Sequence, residues 1–209
     1  MSAHESSVNP PPLDLRRWRS VPMLAIIVGL VISLIGGFAG GGQQFAYSLL
    51  TVFGFYTSLV VGSLFLVIAH HLFDASWSIP IRRVCESMAV QARWLVPIWL
   101  VIYLFRKSIY PWFSMKPEDD SLLAAKSWLF NEWMWPLASL LVLCFWIFFS
   151  QRLRFWSLRQ DETGSAECTY KMRWLSYFGV VLAIAIGITF GSFLWYKSIF
   201  HQFFSTMYG

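Results

Sequence analysis

Apolar residues in this chain come in long unbroken runs, not at the alternating or three-and-four spacing that marks a half-buried strand or a surface helix. Five runs stand out: Val21 to Ala39, Ala46 to Leu72, Met88 to Phe105, Trp133 to Phe149, and Trp174 to about Phe200. Crossing roughly 30 Å of hydrocarbon takes about 20 mostly apolar residues. The pattern therefore predicts an all-α integral membrane protein, a bundle of about five transmembrane helices. The third run carries Arg93 and Pro97, and the fourth is short, with Pro136 near its start. Residues 1–20 are polar and contain Pro10, Pro11 and Pro12, with no early apolar core or small-residue cleavage site. They read as a cytoplasmic tail and not as a removable signal peptide, which leaves 21–209 as a single transmembrane domain.

Composition adds exclusions. The 209 residues are 57% apolar and only 13% charged, against about 25% charged in average globular proteins, and the mean hydropathy is +0.56. A disordered chain is excluded and a soluble globule disfavoured. The net charge of +5 forms no basic domain that would suit nucleic acid, because the cations lie between the apolar runs. Their placement instead sets an orientation. One side holds eleven: Arg16, Arg17, Arg19, Arg82, Arg83, Arg93, Arg152, Arg154, Arg159, Lys171 and Arg173. The other holds five: Arg106, Lys107, Lys116, Lys126 and Lys197. The N-terminus is expected inside and the C-terminus outside. Trp18, Trp77, Trp94, Trp156 and Trp174 would then form an inner aromatic belt, and Trp112, Trp128, Trp133, Trp135 and Trp195 an outer one.

Three runs carry small residues every fourth position: Gly29, Ser33, Gly37; Gly54, Ser58, Gly62; and Gly179, Ala183, Gly187, Gly191. Such faces let backbones approach closely where lipid gives no hydrophobic drive. Cys85, Cys144 and Cys168 are odd in number and far apart, with neither zinc nor redox spacing nor a covalent haem motif. No phosphate loop, metal-ligand run or nucleophile constellation is present. His70 and His71 are adjacent, so they point about 100° apart on a helix and do not both face one haem.

Candidate chemistry falls into two clusters. The inner one is His70, His71, Asp74, Trp77, Arg82, Arg83 and Glu86. Ser78 with Pro80 predicts a helix start, after which Ile81, Val84, Cys85 and Met88 share one face and Arg82 pairs with Glu86 at i, i+4. This is either an interfacial helix with its charges among headgroups, or a polar funnel that passes protons or meets a partner. The outer cluster is Glu132 and Lys197, expected at similar depth, with His201, Tyr110 and Tyr196 nearby. The two charges either pair, as intramembrane charges tend to, or snorkel separately to the interface. Glu132, Lys197, His201, Tyr110, His70, His71, Asp74, Arg83 and Glu86 are the candidate proton-path or quinol-contact residues.

Two stretches resemble a known family. Trp77-Ser78 through Arg82-Arg83-Val84 to Glu86 is similar to a tryptophan, Arg-Val and Glu signature entering a membrane helix. The C-terminal run Trp195-Tyr196-Lys197-Ser198-Ile199-Phe200-His201-Gln202-Phe203-Phe204-Ser205-Thr206-Met207-Tyr208-Gly209 resembles an ending with an Asp-Trp pair, a Ser-(Leu/Ile)-acid-Pro-His-Trp run and Ser-Thr-x-x-Gly. Both belong to the F subunit of alternative complex III, a bacterial quinol:cytochrome c oxidoreductase. Trp195, Ser198, Ile199, Ser205, Thr206 and Gly209 are kept. Leu194 replaces the aspartate, Phe200 the acid, His201 the proline, Gln202 the histidine and Phe203 the tryptophan. The resemblance runs from about the second span onward and covers the N-terminal half of a typical member, so the chain is expected to be a fragment, half of a split subunit, or a divergent relative.

The resemblance implies a multi-pass subunit of a respiratory complex in the bacterial inner (cytoplasmic) membrane. It binds no cofactor itself, the quinol and the haem and iron-sulfur centres belonging to partner subunits. Its partners would be lipid and other membrane subunits, including a related quinol-binding one. The alternative from a different class is a non-catalytic assembly subunit or half-transporter whose polar pairs are structural.

Overall fold

The computed structural model describes residues 20–115, 120–200 and 202. The tail through Arg19, Lys116, His201 and the end of the C-terminal motif lie outside them. Among the described residues there is no strand, and five helices are long and apolar enough to cross a membrane: α1 (Ser20–Gly37), α2 (Gly40–Phe73), α3 (Ile79–Leu104), α4 (Met134–Thr163) and α5 (Ala166–Trp195). The protein is an all-helical, multi-pass membrane protein.

The helical path from α1 into α2 is broken at Gly41, whose φ of 78° and ψ of 154° lie outside the helical region, in a conformation only glycine adopts at low cost. Residues up to Gly41 form one compact unit and those from Gly42 onward a second. In the first, every side chain from Ser20 to Gly36 is exposed.

The second unit is an up-and-down bundle of α2 to α5, and each helix carries its own local signature. Pro80 sits in the first turn of α3, where its missing N–H costs nothing. Further on, Pro97 denies a hydrogen bond to the carbonyl of Arg93, and the helix tightens to a 3₁₀ stretch over Val90–Trp94 just ahead of it. Helix α5 widens to a π-helical stretch at Val180–Ile186, where the carbonyl of Ala183 accepts the indole N–H of Trp146 at 2.7 Å.

The cation-rich stretch between the fourth and fifth apolar runs is helical almost throughout. Helix α4 runs on to Thr163, stops at Gly164 in the left-handed conformation (φ 61°), and α5 begins at Ala166 with the Ser165 hydroxyl accepting from Glu167 N at 3.2 Å. Hydropathy marks where the bilayer ends, whereas a glycine C-cap and a serine N-cap mark where the helices end.

The small-residue ladders meet different fates. On α5, Gly179, Ala183, Gly187 and Gly191 are all buried. A Cβ at Gly179 would lie 3.0 Å from Ile68 of α2, one at Gly187 2.7 Å from the Trp146 indole nitrogen, and one at Gly191 3.0 Å from Trp195. On α2 only Gly54 is pressed, by the Tyr196 ring. Ser58 and Gly62 are exposed, and with Gly191 and Trp195 they line an apolar cleft of about 340 Å³. The outer aromatic belt is also corrected. Trp112, Trp135 and Trp195 are core residues and only Trp128 and Trp133 are exposed, because two of the buried indoles find partners inside. Trp135 donates to the carbonyl of Leu194 at 2.8 Å and Trp195 to the Ser139 hydroxyl at 3.1 Å, while Trp112 is held by stacking on Phe113 at 3.9 Å between centroids.

Gly187→Val forces a branched side chain against the Trp146 indole and should lower stability by about 1–3 kcal/mol, the usual cost of overpacking. Gly29→Val meets nothing within 4 Å and should leave it unchanged. Thermal unfolding of the detergent-solubilised chain checks both.

Candidate functional site

The residues of the inner cluster converge where α2 ends, α3 begins, α4 ends and α5 begins. Amphipathicity alone would turn the apolar side of early α3 inward. The opposite occurs: Ile81, Val84 and Met88 are exposed, and Cys85, Glu86 and Ala89 are buried. In a bilayer the apolar face gains nothing by leaving lipid, whereas an ionised carboxylate gains everything by reaching cations.

Glu86 is 2% exposed and saturated with donors. Its Oε1 accepts from the Ser157 hydroxyl at 2.6 Å and lies 3.4 Å from Arg82 Nε. Its Oε2 accepts from Arg83 Nη1 at 3.0 Å and from Arg154 Nη1 at 2.7 Å. Arg83 also donates to Ser157 Oγ at 2.8 Å and pairs with Asp161. Three guanidinium groups thus face two carboxylates across α3 and α4, which leaves one net positive charge. The i, i+4 pairing of Arg82 with Glu86 was legible in the sequence. Arg154 enters the sequence analysis only as one of the cations that set the orientation, although the spacing of three and four places Arg154, Ser157 and Asp161 on one helical face.

The other members sit around this hub. Asp74 follows the end of α2 in a left-handed conformation (φ 49°) and pairs with Arg173 of α5. His70 Nδ1 lies 2.6 Å from Ser78 Oγ and 3.1 Å from the carbonyl of Ala75, while Ser78 Oγ donates to that same carbonyl at 2.8 Å. A proton on Nδ1 satisfies all three atoms. His71, its ring 5.0 Å from that of His70, is buried and its Nε2 has no hydrogen-bond partner among the described residues. Antiparallel packing sets Ile68 against Gly179 and Asp74 beside Arg173, which places His71 level with Ser176, whose buried hydroxyl is likewise unpartnered. Trp77 is exposed and outside the network.

Among the described residues, the two outer charges do not come together. Glu132 is exposed and makes no ion pair with Lys197, and Lys197 Nζ lies 4.6 Å from the Phe193 ring centroid. The separation has a local cause. Asn131 braces the approach to α4 two residues before its N-cap Trp133, its Oδ1 accepting from Met134 N at 2.7 Å and Trp133 N at 3.0 Å, and the intervening residue is turned outward. Tyr110 is buried and donates to the carbonyl of Trp195 at 3.0 Å. Burial, reinforced by Tyr196 and Tyr47, holds its phenol well above the ordinary range, so it acts as a fixed neutral donor. Tyr47 closes this end, donating to the carbonyl of Ile109 at 3.3 Å.

Among the described residues no group of three or more His, Cys, Asp or Glu side chains is arranged to hold a metal ion. Compared with known protein families and with curated proteins, the sequence matches none.

Glu86→Gln keeps the volume but strips the charge that three arginines share. Loss of one partner from a buried ionic cluster costs about 3–5 kcal/mol, and the partial exposure of the arginines (21–37%) places the expected loss near the lower end. Glu162→Gln, at an exposed position of α4, should be silent in the same unfolding measurement.

Proposed function

We propose that this chain is a membrane subunit of a respiratory quinol:cytochrome c oxidoreductase of the alternative complex III type, in a bacterial cytoplasmic membrane. Its role there is to pack against the quinol-oxidising subunit, with the haem and iron-sulfur centres held by partners. The observation that carries the reading is the use the fold makes of residues shared with that family. Trp195 is buried and hydrogen-bonded to Ser139, Ser198 donates to the carbonyl of Leu194 at 2.5 Å, and Glu86 with Arg83 anchors the opposite end of the bundle. At two of the positions where this chain departs from the family, the side chain is apolar: Leu194, where the family has an aspartate, is buried, and Phe200, where it has an acid, is exposed.

Between the two polar ends the core is Phe53, Leu64, Ile68, Val142, Leu143 and Trp146. A proton route lined by this chain therefore runs along a face shared with a partner, with His70, His71 and Glu86 at one end. The alternative, an assembly subunit or half-transporter with purely structural ion pairs, draws support from the complete saturation of Glu86.

Purification of the tagged chain from its native membranes in mild detergent separates the two. The proposal expects co-purifying iron-sulfur and multihaem subunits, a Soret band and quinol:acceptor activity, none of which the chain expressed alone should show. Isolation with another transporter half, or a stoichiometric haem on the isolated chain, would overturn it. The orientation has its own check. With the three native cysteines replaced, Glu162→Cys should react with an impermeant thiol reagent in sealed right-side-out vesicles only after lysis, and labelling beforehand would reverse the topology.

A further inference from the structure

Outside the Glu86 network, three cations converge on one indole. Around Trp156 of α4, the guanidinium carbon of Arg159 lies 5.4 Å and that of Arg152 5.9 Å from the ring centroid, and Lys171 Nζ of α5 lies 4.4 Å from it. All three fall within cation–π range, but like charges gathered on one ring repel one another. Lys171 shares its charge with Glu167 at 2.5 Å. Arg152 and Arg159 are exposed and form no ion pair among the described residues.

Their depth is set by the sequence, since apolar α4 gives way to polar Gln151 and then to charge at Arg152, where hydrocarbon yields to headgroups. Phe148 and Phe155 are exposed on the same helix, so an apolar surface adjoins the cations. Arg154, between them in sequence, turns the other way into Glu86.

We propose that this face of α4 and α5 binds the headgroup of an anionic phospholipid, with diphosphatidylglycerol the best match. Arg152 and Arg159 are seven residues apart, about two helical turns or roughly 10 Å, and so offer two separate guanidinium groups to a lipid with two phosphates. Each arginine presents planar paired donors to a phosphate, Trp156 sits at the boundary where an indole is at home, and the acyl chains lie along Phe148 and Phe155. Basic pockets between helices at the membrane surface are an established way of holding such headgroups.

The test is native mass spectrometry of the detergent-solubilised chain given equal amounts of diphosphatidylglycerol and phosphatidylethanolamine. The wild type should retain the anionic lipid preferentially. Arg152→Gln with Arg159→Gln should weaken that retention roughly thirtyfold, two basic side chains lost at their usual strength on an anionic surface, and Arg152→Lys with Arg159→Lys, which keeps the charges but not the planar paired donors, should weaken it less. Lys107→Gln, at the opposite end of the bundle, should have no effect. Equal retention by the double glutamine variant, equal retention of the two lipids, an equal loss in Lys107→Gln, or displacement of the lipid by millimolar inorganic phosphate would each overturn the proposal. Subunit composition plays no part in these readouts, so the result stands apart from the assignment to a respiratory complex.

Discussion

A carboxylate taken out of water inside a helical bundle has to be met by cations and hydroxyls at hydrogen-bonding distance, or it does not stay ionised. Glu86 meets that demand with donors from two helices, and the geometry of those donors fixes how α3 and α4 sit at one end. Arg82 and Arg83 come from its own helix, one turn back. Arg154 and Ser157 come from α4, and Asp161 holds Arg83 in turn. The inverted face of early α3, with apolar residues outward and the acid inward, follows from this one requirement.

The far end obeys the same rule with neutral groups. Hydrocarbon offers no water to backbone carbonyls freed where helices end or widen, and side chains of this protein supply the donors. Indoles serve Leu194 and, at mid-span where α5 widens, Ala183, and phenols serve Trp195 and Ile109. Tryptophan is suited to this because one nitrogen satisfies a carbonyl while the rest of the ring fills the core. The α5 glycines make room for those rings, which joins the ladder, the π-helical stretch and the indole hydrogen bonds into one packing arrangement.

Spans and fold class were legible because hydropathy over about 20 residues answers to the bilayer directly. What hydropathy could not reveal were helix ends, which depend on single caps such as Gly164 and Ser165. The candidate site was half legible. Arg82, Arg83 and Glu86 lie within one turn, and local spacing exposes them. Arg154 and Ser157 stand 68 and 71 residues from Glu86, and only the fold brings them near. Glu132 and Lys197 failed as a pair because equal depth says nothing about which way a side chain leaves its helix. The tryptophans misled for a related reason: a belt residue and a core residue have the same composition and the same depth, and differ in which way the helix turns the ring and what it packs against inside.

The two arginines within a turn of Glu86 bear on biogenesis. The third helix reaches the membrane before the fourth has been made, so its acid would wait as a lone charge until Arg154 and Ser157 arrive. Because Arg82 and Arg83 travel on the same helix, the carboxylate carries its own counter-ions from the moment α3 forms, and the late arrival of α4 replaces solvent around an existing ion pair without having to neutralise a bare charge.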